Sequence, residues 1–396
     1  MRKAVLAYVA TLCALLGASA VGGLFLLDAT GPDDVVEDAA DDRGYDFVLW
    51  EVEHFPRKWI YKAHTLLFGE DSGNDDQVLR RYFGLTEQIQ AQRLPGLERE
   101  RNGLEGAVED IIEGRVTAVL EGQALAIEPP LFSDLGLVFP PVDFELDSPP
   151  RVLAISPRDR IELERSFLLE PGLKREEFAG VEREAESKNG PEGAGVSALI
   201  VGTGGVGTYP ALINADDGYH DMVETAFHEW LHNYLVFFPL GRSYFSGNEA
   251  RTLNESVANI GGRALAQEYF KRYGEPVGAA TGTDGRDPTF DFTTEMRALR
   301  REVEKLLSDG RIVEAEAEME ERRIEFQQHG YLLRKINQAY FAFHGFYADS
   351  PGSIDPIGPK LEELLTQAGS PGRFIELVRA VTSRADLDEA VAASES

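Results

Sequence analysis

The chain has 396 residues, with 68 Asp and Glu against 39 Lys and Arg, for a net charge of −29. That surplus repels phosphate backbones, which excludes nucleic acid as a partner, and is most simply a solubility feature. Cys13 is the only cysteine, so disulfides and thiolate chemistry are excluded and stability must come from a hydrophobic core, for which the length is ample.

Met1-Arg2-Lys3 is basic, and residues 4–27 then run uncharged and largely apolar to Asp28. Such a run is long enough to span a bilayer, and its flanking charges place the N-terminus inside and the bulk outside. A cleaved signal peptide is the rival, since Ala18-Ser19-Ala20 has the form of a cleavage site, and cleavage after Ala20 would release a secreted protein. Because the apolar run continues to Leu27, a single-pass cell-membrane anchor over 1–27 is preferred. Residues 28–46, rich in Asp, Ala and Gly, read as an acidic linker.

Residues 47–125 read as a helical region in segments 47–68, 76–93 and 97–123. His54 and His64 there stand alone and are expected to be ordinary packing or surface residues. Between 126 and 175 the pairs Pro129-Pro130, Pro140-Pro141 and Pro149-Pro150 punctuate short apolar runs, including 135–139 and 152–155, which suits short strands and loops. Residues 176–188 form a charged helix or exposed loop, and 196–201 a strand.

Gly202-Thr203-Gly204-Gly205-Val206-Gly207 spells the dinucleotide fingerprint, but that fingerprint needs a helix starting at the glycines. Here Pro210 and the run 211–213 predict a second strand, so the glycines read as a hairpin loop and no nucleotide is expected.

His228-Glu229-Trp230-Leu231-His232 follows. Apolar residues at Val223, Ala226, Phe227, Trp230, Leu231, Leu235 and Phe238 have helical spacing. On a helix His228 and His232 share one face, so both imidazoles can bind one metal ion, with Glu229 beside them as a general base. A catalytic zinc takes three protein ligands and keeps one position open. A third His six residues after the motif is absent, since Phe238 stands there; Glu255 in Leu253-Asn254-Glu255-Ser256-Val257-Ala258-Asn259 is the alternative. Asn259, four residues on, could accept the outer N–H of a ligand His. The turn residues Pro239-Leu240-Gly241 and Ser246-Gly247-Asn248 let the two helices fold back on each other.

The two motifs together resemble those of the gluzincin metallopeptidases, which include the thermolysin-like enzymes and the zinc aminopeptidases. The nearest resemblance is to a bacterial family of zinc aminopeptidases, over roughly residues 220–350. It implies His228, His232 and Glu255 as ligands of one Zn2+ per chain and Glu229 as base. Thermolysin-like members carry Asp where this chain has Asn259. The resemblance also implies a sheet with a substrate-binding edge strand just before the zinc helix, to be sought in 196–213, where an extended peptide could pair.

Residues 254–273 read as a helix in which Gly261-Gly262 requires another backbone close by. The stretch 276–291 reads as a connector; Asp284 and Asp287 match no calcium-loop spacing. Long helices are expected over 293–307 and 311–347. Asn337, Tyr340, His344 and Tyr347 would form one stripe on the second, read either as amphipathic aromatic packing with polar tips toward water or as the lining of the cleft, where Tyr340, His344 or Tyr347 would steady an oxyanion. Residues 370–396 suggest one capped helix and a frayed tail.

The expected fold is α+β, mostly α-helical: a zincin-like catalytic domain over 126–396 with a small β-sheet before the zinc helix, preceded by the transmembrane helix. The expected function is a membrane-anchored extracytoplasmic zinc metallopeptidase acting on a peptide or protein substrate. Two other readings are a non-catalytic binding domain on the same scaffold and a metal-dependent hydrolase of a non-peptide substrate.

Overall fold

The computed structural model describes residues 74–92, 95–125, 138–188, 195–277 and 286–394. The expected anchor, linker and first helix, with His54, His64 and Asp284, lie outside the described residues. Among the described residues no helix is long and apolar enough to cross a membrane.

The fold is mostly helical α+β. Helix α1 (Asp75–Gln92) is followed by α2 (Pro95–Asn102) and α3 (Glu105–Gly122). One continuous helix was expected over 97–123; it divides at Gly103-Leu104, where the Leu104 N–H turns back to the Arg101 carbonyl at 2.8 Å. Next come β1 (Phe144–Asp147), β2 (Arg151–Pro157), β3 (Arg165–Leu169), α4 (Arg175–Lys188), β4 (Val196–Gly202), β5 (Gly205–Val206) and β6 (Ala211–Asn214).

The strands around the glycine loop do not form the expected hairpin. β4 belongs to an antiparallel sheet ordered β3-β2-β4, with Leu153 opposite Ile200. β6 lies in a second sheet ordered β1-β6-β5, parallel to β1 and antiparallel to β5. The glycine stretch is thus where the chain crosses between sheets.

Both sheets have an edge closed by a glutamate pair spaced i, i+4 on a helix. On α4, Glu182 accepts from the Ile200 N–H at 2.7 Å and Glu186 from the Ala198 N–H at 3.1 Å. The carbonyls of that edge are taken too: Asn337 and Lys335 donate to Ala198 at 2.9 Å, and Arg334 donates to Ile200 at 3.2 Å. On α3, Glu113 and Glu109 accept from the N–H groups of Phe144 and Leu146 at 2.9 and 2.8 Å. Strand edges left open invite pairing with other chains. The outer edge of β4, part of the stretch expected to bind substrate, is therefore already satisfied.

Helix α5 (Tyr219–Leu235) carries the HExxH stretch, and the short α6 (Pro239–Arg242) leads to α7 (Asn248–Tyr273), which begins six residues earlier than the sequence suggests. On α5 the apolar positions are buried as expected, including Val223, Ala226, Phe227, Trp230 and Leu231. They share one core with Leu79 and Tyr82 of α1, Val108 and Ile112 of α3, and Leu253 and Val257 of α7. Gly261-Gly262 meets its expectation. A methyl group on Gly262 would stand 3.1 Å from the His228 backbone nitrogen, and one on Gly261 would stand 2.7 Å from Ile375 Cδ1. Two helices approach so closely only where side chains are missing.

Helices α8 (Phe292–Ser308) and α9 (Ile312–Gln328) pack on each other with a core around Leu299, Val303, Met319 and Phe326. The single helix expected over 311–347 breaks after Gln328, since Gly330 takes φ +88° and Asn337 then caps α10 (Gln338–His344). The C-terminal part holds α11 (Ile357–Ala368), α12 (Pro371–Val378) and α13 (Arg384–Ser394). Ser370 caps α12 as expected, but 370–394 forms two helices rather than one.

Candidate metal centre

One turn of α5 presents His228, Glu229 and His232, whose ligand atoms all lie within 4.8 Å of one another. The two Nε2 atoms are 3.0 Å apart. Crossing helix α7 brings Glu255 Oε2 to 3.7 Å from His228 Nε2 and 3.5 Å from His232 Nε2. A tetrahedral ion with ligands at about 2.0–2.1 Å holds its donor atoms about 3.3 Å apart, and the three separations straddle that figure. Two imidazoles and one carboxylate are a donor set suited to zinc.

Electrostatics binds the cluster together. Burial alone would lower the His232 imidazole, yet the Glu255 charge and hydrogen bond carry it to about 9. Burial alone would raise Glu255, but His232 and His228 hold it well below the usual carboxylate range. Glu229, 6% exposed, is pushed up chiefly by burial. A metal binding here must displace the His232 proton, so metal and proton compete for the site.

The surrounding residues explain most of the second motif. Asn254 Oδ1 accepts from His232 Nδ1 at 2.9 Å, fixing the tautomer that leaves Nε2 free for a metal. Asn259 was expected in that role; its amide instead donates to Asp349 at 2.8 Å, beside the Arg263 guanidinium. Asn254 precedes the ligand and faces the C-terminal turn of α5, whereas Asn259 lies a turn further along. Asn254→Ala is expected to weaken metal affinity about 10–100-fold, while Asn259→Ala leaves it unchanged, as read by competition against a chelator. Equal losses in both variants would remove Asn254 from the site.

Ser256, fully buried, accepts from the Ala348 N–H at 2.9 Å and donates to the Phe346 carbonyl at 3.3 Å. It thereby grips both sides of Tyr347. That ring stands 6.4 Å from the His228 ring, and the Glu255 charge, then burial, raises its hydroxyl well above the usual value. Tyr244 flanks His232 at 6.3 Å and donates to Glu255 Oε1 at 2.5 Å.

Of the three expected oxyanion residues, the structure sets Tyr347 alone beside the centre. Helix α10 stops at His344, so Tyr347 is no longer on the stripe that the sequence draws. Tyr340 and His344 pack on each other with ring centroids 4.4 Å apart, and Tyr340 leans on the core around Ala154 and Leu199. Burial pushes Tyr340 up to about 12 and His344 down to about 4, with no charge of the centre contributing to either. Asn337, first in that stripe, caps α10 and ties it to β4.

The glycines of the misleading fingerprint have their reason here. A methyl group on Gly205 would stand 2.8 Å from Glu229 Oε1, from the Leu212 carbonyl oxygen and from Thr225 Cγ2. One on Gly207 would stand 3.1 Å from Glu229 Oε2 and 3.3 Å from His232 Cβ. The backbone of β5 thus lies directly on the HExxH turn. Gly205→Ala is expected to cost about 1–3 kcal/mol of stability, seen as a lower Tm; an unchanged Tm would refute the contact.

Sequence reasoning missed Tyr244, Arg251, Asn254 and Ser256. Arg251 at least was visible, since it precedes Glu255 by one helical turn. No family model, no curated protein and no solved structure matches this chain.

Proposed function

We propose that the chain is a zinc metallopeptidase with a zincin-like domain of the gluzincin type, held outside the cytoplasmic membrane by its N-terminal segment. The observation that carries this reading is Glu255, brought from a second helix to within 3.5 and 3.7 Å of two imidazoles on one helix face. Glu229 is buried beside them.

His228, His232 and Glu255 would hold the ion. When bound, zinc supplies Lewis acidity to a substrate carbonyl and to water. Glu229 takes the proton from the attacking water on its carboxylate and delivers it to the leaving amine. Its burial favours this task, because a desolvated carboxylate holds a proton nearer neutral pH. Tyr347, gripped by Ser256, turns its hydroxyl to the oxygen on which charge develops. With the outer edge of β4 closed, the peptide lies along β5 and the residue after it, where the backbone of Gly205 faces Glu229 and that of Gly207 faces Glu229 and His232.

The alternative of a non-catalytic scaffold draws on Asn259 in place of Asp, and that feature loses its weight once Asn254 is seen on His232. The test is hydrolysis of a broad peptide panel by the zinc-loaded full chain, wild type beside Glu229→Gln.

A further inference from the structure

Arg251 stands one turn before Glu255 on α7 and is half-buried. Its guanidinium lies over the Phe346 ring at 4.4 Å and the Tyr244 ring at 5.7 Å. Those two rings adjoin Tyr347 and His232, so the cation belongs to the wall of the metal centre. Its charge acts on Glu255, Tyr244 and Tyr347.

Arg263, Arg300 and Arg334 each hold an acidic side chain, whereas no ion pair to Arg251 is found among the described residues. Glu255, the nearest candidate, spends Oε2 on the imidazoles and Oε1 on the Tyr244 hydroxyl. The neighbouring Glu249 is engaged by Arg384. Arg251 Nε is buried without a hydrogen-bond partner. Tyr244 shares a hydrogen bond with the guanidinium, but a hydroxyl does not neutralise the charge. A cation beside a reaction centre, with one buried donor unpaired and no ion pair among the described residues, is a candidate for an anion that arrives with the substrate.

The charge balance points the same way. With a divalent cation present, the ion and Arg251 together outweigh the carboxylates of Glu255 and Glu229. The centre is then a positive spot in a chain whose net charge is −29, and a substrate carrying a carboxylate is drawn to it.

We infer that Arg251 is a substrate-recognition residue that binds a carboxylate of the peptide close to the scissile bond. This rests on the metallopeptidase reading above. Two sources share that chemistry: the free C-terminus of the peptide, which would make the enzyme a carboxypeptidase, and an acidic side chain next to the cleaved bond. The planar guanidinium suits either, since it meets a carboxylate with two parallel N–H donors.

The experiment uses the zinc-loaded full chain and three short peptide hydroxamates, whose hydroxamate end engages an open zinc site. One ends in a free leucine carboxylate, one in leucine amide and one in glutamate amide. Binding is read by calorimetry, with zinc content measured on the same samples. In the wild type at least one acid-bearing probe should bind about tenfold to a hundredfold tighter than leucine amide, because a charge-assisted pair replaces a neutral contact. Preference for the free terminus identifies a carboxypeptidase, and preference for glutamate amide identifies acidic side-chain recognition. In Arg251→Met, which keeps the stem over Phe346, the advantage should vanish while leucine amide binds as before. Arg251→Lys should retain part of it.

Wild-type protein that holds zinc and binds all three probes alike overturns the inference and leaves the metal site standing, and this comparison needs no variant to fold. An advantage that persists in Arg251→Met also overturns it. Protein that holds no zinc removes the metallopeptidase reading itself, and the inference with it.

Discussion

Glu229→Gln should retain about one zinc per chain and lose peptide hydrolysis by a factor of about 10²–10⁴. The substitution is nearly isosteric, which matters because Glu229 is 6% exposed and packed under the backbone of Gly205 and Gly207. A glutamine fits that space, so folding and Tm should change little. The three metal donors are on other residues, so zinc content should survive. What the amide cannot do is accept a proton from water at neutral pH. Comparing kcat/KM with zinc content on the same preparation therefore separates loss of the base from loss of the metal. Wild-type activity in Glu229→Gln would place the base elsewhere and end the proposed mechanism.

Which parts of this were legible in the sequence follows the range of the interactions. The position of the HExxH helix, its buried face and the pairing of His228 with His232 depend on spacings of three and four residues, and periodicity reveals such spacings. Glu255 was legible because its neighbours resemble a known motif. Gly261-Gly262 was legible because two adjacent glycines inside a helix demand a close neighbour.

Contacts between distant segments were not. The fingerprint glycines looked like loop material because nothing near residue 205 in sequence announces that Glu229 will lie against it. The β4 edge looked available because the groups that close it, Glu182 and Asn337, are 18 and 139 residues from their partners. Asn259 was assigned to the imidazole from helical spacing alone. The choice between Asn254 and Asn259 depends on where α5 crosses α7, and no periodicity encodes a crossing point. The stripe from Asn337 to Tyr347 failed for a related reason. A stripe exists only while the helix lasts, and this one ends at His344. Tyr347 reaches the centre through the turn beyond, held there by Ser256.

The sharpest test of the centre is Glu255→Ala beside His228→Ala. Both should fall from about one zinc per chain to almost none. Two histidines on adjacent turns bind divalent ions weakly by themselves; the third donor, held by Tyr244 and supplied from another helix, would complete a three-donor set that leaves one position open. Removing Glu255 also leaves the Tyr244 hydroxyl without its acceptor and His232 without the charge that sustains its proton. Some loss of stability is therefore expected in the metal-free variant, and Glu255→Gln provides the control. It preserves size and an acceptor for Tyr244, yet replaces the carboxylate donor with a neutral amide, a much poorer ligand for zinc. If Glu255→Gln stays folded and still loses zinc, the loss belongs to ligation and not to collapse of the helix crossing. If only His228→Ala loses the metal, the third donor is another group, Glu229 being the nearest. That carboxylate would then be a ligand rather than a base, and the reaction proposed here would have no proton acceptor.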